Sequence, residues 1–276
     1  KIEANATGAD IRTGWPSIAP YGAEGEIMVC HTSNGLVYYT RTKAGEGVWD
    51  GPYNVPNQQG GINGVTTDLT LACPKIITTG ANNETLHIFA AATTDEGTAQ
   101  LYLRSSDLQN WEYSWAPCSL HDLHLGIYDA DDYAVAVNGD FIAVVYNNWE
   151  KAHTMLYKSY DNGNTWESKI IWENPIHLLD WETDENTIFE QFCAPTHVSV
   201  ALDKYGDAHV ALSVGMFDHN NLGTSYSIYF GIQADGVAYW YEGYGMPLQS
   251  PDGNPWNALK LWWEDENNPG YININT

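Results

Sequence analysis

Three carboxylates stand just before strand-like apolar runs, where they could do chemistry: Asp68, Asp132 and Glu190. Glycoside hydrolysis needs two carboxyl groups, one neutral as the general acid and one ionised as the base or nucleophile. In a fold whose sheets are arranged around an axis, a side chain at the start of the innermost strand of a sheet points towards the central channel. The alternative interpretation is that these three are solvated loop carboxylates or caps, because 35 Asp and Glu residues guarantee some at such positions.

Further oxygen ligands predict a cation site. Asp129, Asp131 and Asp132 lie almost consecutively, and Asp218 is followed by two nearby asparagines. Carboxylate and amide oxygens are the ligands that Ca²⁺ prefers. Neither group has the spacing of an EF-hand loop. Ca²⁺ is therefore a candidate cofactor, with the first group as its predicted ligands.

The charge balance excludes several classes of partner. The chain has 276 residues, with 11 Lys and Arg against 35 Asp and Glu, and a formal net charge of -24. Such a surface repels nucleic acid and anionic lipid. An acidic, aromatic surface suits neutral sugars, cations or basic peptides. No apolar run reaches the ~18 residues of a transmembrane helix, so we expect no transmembrane segment.

The four cysteines, Cys30, Cys73, Cys118 and Cys193, show no metal-binding spacing. Their even number permits two disulfides and requires none. Three of them lie in or beside apolar strand-like runs, a position that fits buried free thiols as well as it fits disulfides.

The elements that must position these residues come from an internal repeat. An apolar strand with a Tyr, a polar turn and a Trp recurs at 36–49, 101–111, 155–166 and, more weakly, 227–240. Two further strand-like runs precede each copy, the first led by Pro or Asp, with Pro in the first position that a strand tolerates. Each unit therefore holds four short strands. Four-stranded units repeated around an axis make a β-propeller, so the predicted fold class is all-β.

The third copy carries the most specific motif of the chain. Its structural residues are Ser159, Asp161, Gly163, Thr165 and Trp166. This sequence pattern resembles the Asp-box of the sialidase-like (BNR-repeat) β-propeller superfamily, and the chain resembles a secreted bacterial member of it. The aspartate can cap backbone N–H groups inside the turn, the glycine supplies a positive φ, and the tryptophan packs between sheets.

The resemblance implies a domain layout. One propeller domain would cover residues 1–276, as part of a five- or six-bladed propeller. Its blades are expected at about 12–56, 70–118, 129–172 and 193–244, with 245–276 as part of a further blade. Additional blades would come from the same protein outside this chain or from another chain.

A sialidase requires three arginines that converge on the substrate carboxylate, and the chain has only Arg12, Arg41 and Arg104. Arg41 and Arg104 follow the Tyr strand in successive units, so both are expected on outer third strands as parts of the scaffold. Only Arg12 stands near a first strand, where the family places its first arginine. Arg12 therefore stays a candidate catalytic residue. Because one arginine does not make the required three, sialidase activity is the last of the three predicted functions.

In the family, the ligand face consists of loops before the first strands and loops between the second and third strands. The long loops of this chain carry aromatic and charged ligand-face candidates: Trp149, Trp181, His177 and Asp218.

Three functions follow from these observations. The first is a secreted or cell-surface, non-catalytic module that binds or assembles with a protein or glycan partner, since the scaffold lacks a recognisable catalytic set. The second is a glycoside hydrolase that uses paired carboxylates on neutral polysaccharide. The third is a sialidase with its remaining arginines elsewhere. All three predict an extracellular or cell-surface location.

Overall fold

A computed structural model of the chain describes residues 13–56, 70–94, 97–115, 132–148, 153–173, 189–219, 227–229, 236–245, 248–249, 264–265 and 268–269. Within these ranges every regular element is a β-strand except one 3₁₀ turn at Glu242–Tyr244. No helix in the described ranges is long and apolar enough to cross a bilayer.

The first two sheets are four-stranded antiparallel meanders, in which each strand pairs with the next. The first consists of β1 (Gly14–Tyr21), β2 (Gly25–Thr32), β3 (Gly35–Arg41) and β4 (Asp50–Asn54). The second consists of β5 (Thr70–Thr79), β6 (Thr85–Thr94), β7 (Gly97–Ser105) and β8 (Glu112–Trp115).

The third sheet repeats this order and the fourth varies it. The third consists of β9 (Tyr133–Asn138), β10 (Phe141–Asn148), β11 (His153–Ser159) and β12 (Glu167–Glu173). The fourth consists of β13 (Phe189–Leu202), β14 (Ala208–His219), β15 (Ser227–Tyr229) and β16 (Gly236–Tyr241). The predicted fold class, all-β with four-stranded propeller blades, is confirmed.

The fourth sheet differs from the predicted strand–turn–strand copy at 227–240. Both β15 and β16 pair with β14: Tyr229 lies opposite Met216, and Gly236 lies opposite Val214. The two runs are successive pieces of one third strand, and they do not form a hairpin with each other. The hairpin predicted for 227–240 is therefore wrong.

Short strands follow the fourth sheet. β17 (Leu248–Gln249) pairs in parallel with the outer strand β12, while β18 (Glu264–Asp265) and β19 (Asn268–Pro269) pair with each other. The further blade expected within 245–276 stays a prediction.

The chain divides into two compact units. The first holds the first two sheets together with the turn Tyr160–Thr165, and the second holds the third and fourth sheets. In the first unit β1 and β5 run side by side in the same direction, because Ile76 N donates to Ser17 Oγ and Thr78 Oγ1 donates to Pro20 O. In the second unit β9 and β13 are neighbours, and Asn138 Nδ2 donates to Asp203 O.

The prolines of the first strands lie at bulges within the strands, which corrects their expected first positions. The pairing register shifts around Pro16 in β1, around Pro74 in β5 and just after Pro195 in β13. A bulge leaves one residue outside the ladder, so it accommodates a residue that cannot donate a hydrogen bond.

Apolar side chains between neighbouring sheets form the core of each unit. In the first unit these include Ile27, Leu86 and Ile88, and in the second Trp172 and Trp240, all fully buried. Cys30 and Cys73 are buried thiols of the first unit. The side chains of Cys118 and Cys193 lie outside the described residues.

One buried ion pair joins the third and fourth sheets inside the second unit. Lys158 Nζ lies 2.6 Å from Glu242 Oε2, and the lysine side chain is 5% exposed. The same carboxylate oxygen accepts from Ala208 N at 2.8 Å. The glutamate thus compensates the buried ammonium and also caps the start of β14.

Replacing Lys158 with Ala should lower the free energy of unfolding by about 3 kcal/mol, because it leaves the half-buried Glu242 without its cation. Lys43→Ala is the matched control, since the Lys43–Glu46 pair has side chains 59% and 66% exposed. The control should cost less than about 0.5 kcal/mol. Urea denaturation measures both, and equal losses would contradict the assignment.

Candidate functional site

Most predicted site residues lie outside the described residues: Arg12, Asp68, Asp129, Asp131, Trp149, His177 and Trp181. For Glu190 in β13 and Asp218 in β14, only the backbone is described. Asp132 is the one predicted catalytic candidate whose side chain the structure describes. The site is therefore built outward from this residue.

Asp132 directly precedes β9 and begins a row of polar side chains across the third sheet. Asn147 N donates to Asp132 O at 2.8 Å, which extends the β9–β10 ladder by one pair. Asn147 in turn lies opposite Thr154 of β11. Directly opposed residues present side chains on the same face with Cβ atoms about 5 Å apart. Asp132, Asn147 and Thr154 thus share one face.

This polar row closes the core of the second unit at the edge where β9 begins. Two residues further along each strand, the same face carries Ala134, Val145 and Leu156, of which the last two belong to the apolar core. Asp132 is 6% exposed, and Asn147 and Thr154 are more deeply buried. A carboxylate at this depth is uncommon in proteins, because burial penalises its charge.

The amide of Asn147 has a defined orientation. Thr154 Oγ1 donates to Asn147 Oδ1 at 2.8 Å, so the amide oxygen faces β11. Among the described residues, Asn147 Nδ2 has no hydrogen-bond acceptor. Its cross-strand neighbour on the other side is Asp132. A buried amide donor next to a carboxylate can stabilise the ionised form of that acid.

An aromatic layer supports the opposite face of the same strands. The rings of Tyr133 and Tyr146 stack with centroids 5.9 Å apart, and Tyr146 meets Tyr157 edge-on at 5.7 Å. All three rings are buried. The strand ends that carry Asp132 and Asn147 are therefore held on a rigid sheet rather than on a free loop.

The strand register separates Glu190 from Asp132 along β13. Asp132 lies six residues before Asn138, whereas Glu190 lies thirteen residues before Asp203, the acceptor for Asn138. At ~3.3 Å per residue, the backbone of Glu190 is roughly 20 Å further along, less the length taken up by bulges. Adjacent strands alone therefore do not bring these two predicted acids together.

The predicted calcium ligands are represented by Asp132 alone. Within the described ranges, no group of three His, Cys, Asp or Glu side chains is arranged to hold a metal ion. Asp129 and Asp131 lie outside those ranges, so the Ca²⁺ site stays a prediction.

Both outer arginines belong to the scaffold, as predicted. Arg41 at the end of β3 pairs with Glu26 and stacks over Trp49 at 4.5 Å. Arg104 in β7 pairs with Glu112 at 2.5 Å and donates to Asn162 O at 2.9 Å. These contacts occupy both guanidinium groups.

The contacts of Asp161 are local to its turn. Its carboxylate accepts from Thr165 N at 2.8 Å and from Thr165 Oγ1 at 2.7 Å. Gly163 has a φ of +79°, and a Cβ there would lie 2.3 Å from Tyr102 Oη. In the second sheet, Asp107 caps the corresponding turn by accepting from Asn110 N, Asn110 Nδ2, Gln109 N and Ser105 Oγ, and these four donors lower its pKa to about 2. Both turns thus use one aspartate in the same way.

His87 lies fully buried beneath the Tyr160–Thr165 turn in the first unit. Its Nε2 contacts Asn162 Oδ1 at 3.1 Å and Thr79 Oγ1 at 2.7 Å, while its Nδ1 contacts Tyr102 Oη at 2.7 Å. Because an amide oxygen only accepts, Nε2 carries the proton and Nδ1 accepts from the tyrosine. Burial lowers the pKa of His87 to about 4, with Arg104 adding to the effect and the Asn162 contact opposing it.

Sequence reasoning missed the partners of Asp132. Neither Asn147 nor Thr154 is among the residues that the sequence motifs predict for the site. Both follow from the cross-strand register, which a single sequence does not reveal. The alternation of Val145 and Asn147 in β10 was the available signal, because it puts a polar residue on a core-facing position.

Comparisons with known proteins give only distant likenesses. No family model and no curated protein matches the chain. Among solved structures, an α-L-arabinanase from Penicillium chrysogenum complexed with arabinobiose is 13% identical, with 83% of this chain and 62% of that chain covered and a TM-score of 0.44. This chain thus spans less than two thirds of that protein.

Two further structures are similar at the same level. An arabinanase from Bacillus subtilis is 11% identical, covering 84% of this chain and 72% of that chain, with a TM-score of 0.41. An α-L-arabinofuranosidase from Podospora anserina in complex with cellotriose is 12% identical, covering 82% and 70%, with a TM-score of 0.38. At these scores the likeness assigns no activity to this chain.

The buried His87 predicts an acid-sensitive stability. The unfolded chain binds this proton below about pH 6.5, whereas the folded protein binds it only near pH 4. The free energy of unfolding should therefore fall as the pH drops through that window, by up to about 3 kcal/mol. His87→Gln should remove this component in urea titrations from pH 7 to pH 4. An unchanged pH dependence in the variant would contradict the assignment.

Gly163→Ala should lower the free energy of unfolding by about 2 kcal/mol, because it adds a Cβ at a positive φ and against Tyr102 Oη. Tyr102→Phe removes that oxygen. In a double-mutant cycle, the penalty of the alanine should shrink in the Tyr102→Phe background. Strict additivity would show that the tyrosine oxygen is not the obstacle.

Proposed function

We propose that this protein is a glycoside hydrolase that acts on a neutral polysaccharide, with Asp132 as one of its two reacting carboxyl groups. The single observation that carries the proposal is the burial of Asp132 at the start of an inner strand. A solvated loop carboxylate, one of the two competing interpretations, would be exposed; the other is a cap at the start of the strand. A buried acid in an edge position is typical of a group with a chemical task.

The neighbours of Asp132 suit acid–base chemistry. Asn147 is anchored by Thr154 and presents an amide donor on the face of the carboxylate. An amide donor next to a carboxylate can hydrogen-bond its ionised form, which a general acid or base adopts during the reaction.

Asp68 and Glu190 are the other two acids that the sequence predicts as candidates. Glycosidases hold their two acids about 5–10 Å apart, according to whether the anomeric configuration is retained or inverted. The backbone register of β13 argues against Glu190 as the partner of Asp132.

The charge of the chain supports a neutral substrate. A net charge of -24 repels anionic sugars such as sialic acid, and Arg41 and Arg104 are held in scaffold contacts. A sialidase-like Asp-box ancestry for the scaffold is proposed on the basis of the Asp161 turn and its counterpart at Asp107. Polysaccharide substrates fit the expected location outside the cell or at its surface.

The competing function is the non-catalytic module that binds a protein or glycan partner. It predicts binding without turnover, with Asp132 as a structural cap at the start of β9. An assay of polysaccharide hydrolysis distinguishes the two functions.

Asp132→Asn should reduce kcat/KM on the best neutral polysaccharide by about 10²–10⁴-fold, because the amide cannot exchange the catalytic proton. Release of reducing ends from neutral arabinans, xylans, glucans and mannans measures this loss. Asp140→Asn is the matched control, since Asp140 is exposed in the turn at the other end of β9. The control should keep full activity.

A lack of turnover on every neutral polysaccharide would refute the proposal and favour the binding module. Hydrolysis that survives Asp132→Asn would leave a hydrolase with a different catalytic acid. A fluorogenic sialoside should stay intact in all cases.

A further inference from the structure

An exposed tryptophan stands at the edge of the first unit where β1 begins. Trp15 is 55% exposed and has a φ of +45°. A positive φ is unfavourable for a bulky residue, and the following Pro16 further restricts its backbone to extended conformations. The residue therefore incurs a backbone cost without the burial that would offset it.

Contacts on one face of the indole fix its orientation. One face of Trp15 stacks on the His31 imidazole with ring centroids 5.6 Å apart and planes at 24°. Cys73 N donates to His31 Nδ1 at 3.0 Å, which fixes the imidazole plane. A Cβ at Gly14 would lie 2.4 Å from His31 Nε2, so only glycine leaves room for the ring.

The same backbone device occurs in the neighbouring sheet. Cys73 has a φ of +50° and precedes Pro74, at the bulge of β5. Trp15 and Cys73, which both have a positive φ, thus both contact His31 at one edge of the unit. Strain of this kind is concentrated at ligand-binding sites, where it pre-organises a side chain.

We propose that Trp15, backed by His31, is a stacking platform for a neutral sugar ring. The apolar C–H face of a sugar ring is complementary to an indole held flat, and its hydroxyl groups remain in solvent. The choice of a neutral sugar as the ligand rests on the proposed function, a hydrolase of neutral polysaccharide.

This contact is independent of hydrolysis at Asp132, and its test is a binding measurement. Isothermal titration with short neutral oligosaccharides of arabinose, xylose, glucose and mannose is carried out in the Asp132→Asn background, where no ligand is consumed. At least one oligosaccharide should bind. Trp15→Ala should weaken that binding about tenfold, and Trp15→Phe should retain most of it.

Tyr205→Ala is the matched control, because Tyr205 is 71% exposed in the turn between β13 and β14. It should leave the affinity unchanged. Equal affinity of the Trp15→Ala variant, or binding of none of the oligosaccharides, overturns the proposal. Binding of a lysine-rich peptide in their place, lost in Trp15→Ala, also overturns it.

A second measurement uses the protein without any substitution, so it does not depend on whether a variant folds. N-bromosuccinimide oxidises exposed indoles, and mass spectrometry of peptides locates the oxidation. The bound oligosaccharide should slow the oxidation of Trp15 at least several-fold, whereas an unchanged rate contradicts the platform. A failure of hydrolysis alone would leave both results intact.

Discussion

The structure depends on one packing constraint that acts inside each compact unit. A four-stranded sheet with apolar residues on its faces must be covered, and neighbouring sheets cover each other with their inner strands side by side. In the first unit, side-chain to backbone hydrogen bonds between β1 and β5 fix this arrangement. In the second, Asn138 and Asp203 do so. Because neighbouring inner strands run in the same direction, they begin at a common edge, and polar groups that end the core gather there.

That edge is where both units depart from ordinary local structure. In the second unit the core ends in a buried carboxylate, a buried amide and a buried hydroxyl. In the first it ends in an exposed indole on a strained backbone. At the other edge, the turns are stabilised by local caps, such as Asp107 and Asp161. The local caps thus lie at one edge of these sheets, and the residues for which we propose a function lie at the other.

The repeat could be predicted from the sequence because each copy contains its own local signals. Tyr39, Tyr102 and Tyr157 mark third strands in the structure as they do in the sequence. The fourth copy failed because local pattern does not determine which strands pair. Tyr229 and Trp240 look like two arms of a hairpin, yet both strands pair with β14. Only the register, a non-local property, distinguishes the two arrangements.

The candidate site was predictable only in part for the same reason. A carboxylate before an inner strand identifies Asp132, but its neighbours Asn147 and Thr154 depend on two successive cross-strand registers. The platform at Trp15 was not predictable, because a residue before proline is expected to be extended. Its positive φ results from the bulge and from packing on His31.

We propose that Asp132 contacts the scissile part of a neutral glycan. A crystal structure of the Asp132→Asn variant with a bound neutral oligosaccharide tests it most directly. We expect the side chain at position 132 to lie about 2.6–3.2 Å from a glycosidic oxygen or from a water next to the anomeric carbon. An oligosaccharide bound elsewhere, with position 132 still sealed from the sugar, would contradict it.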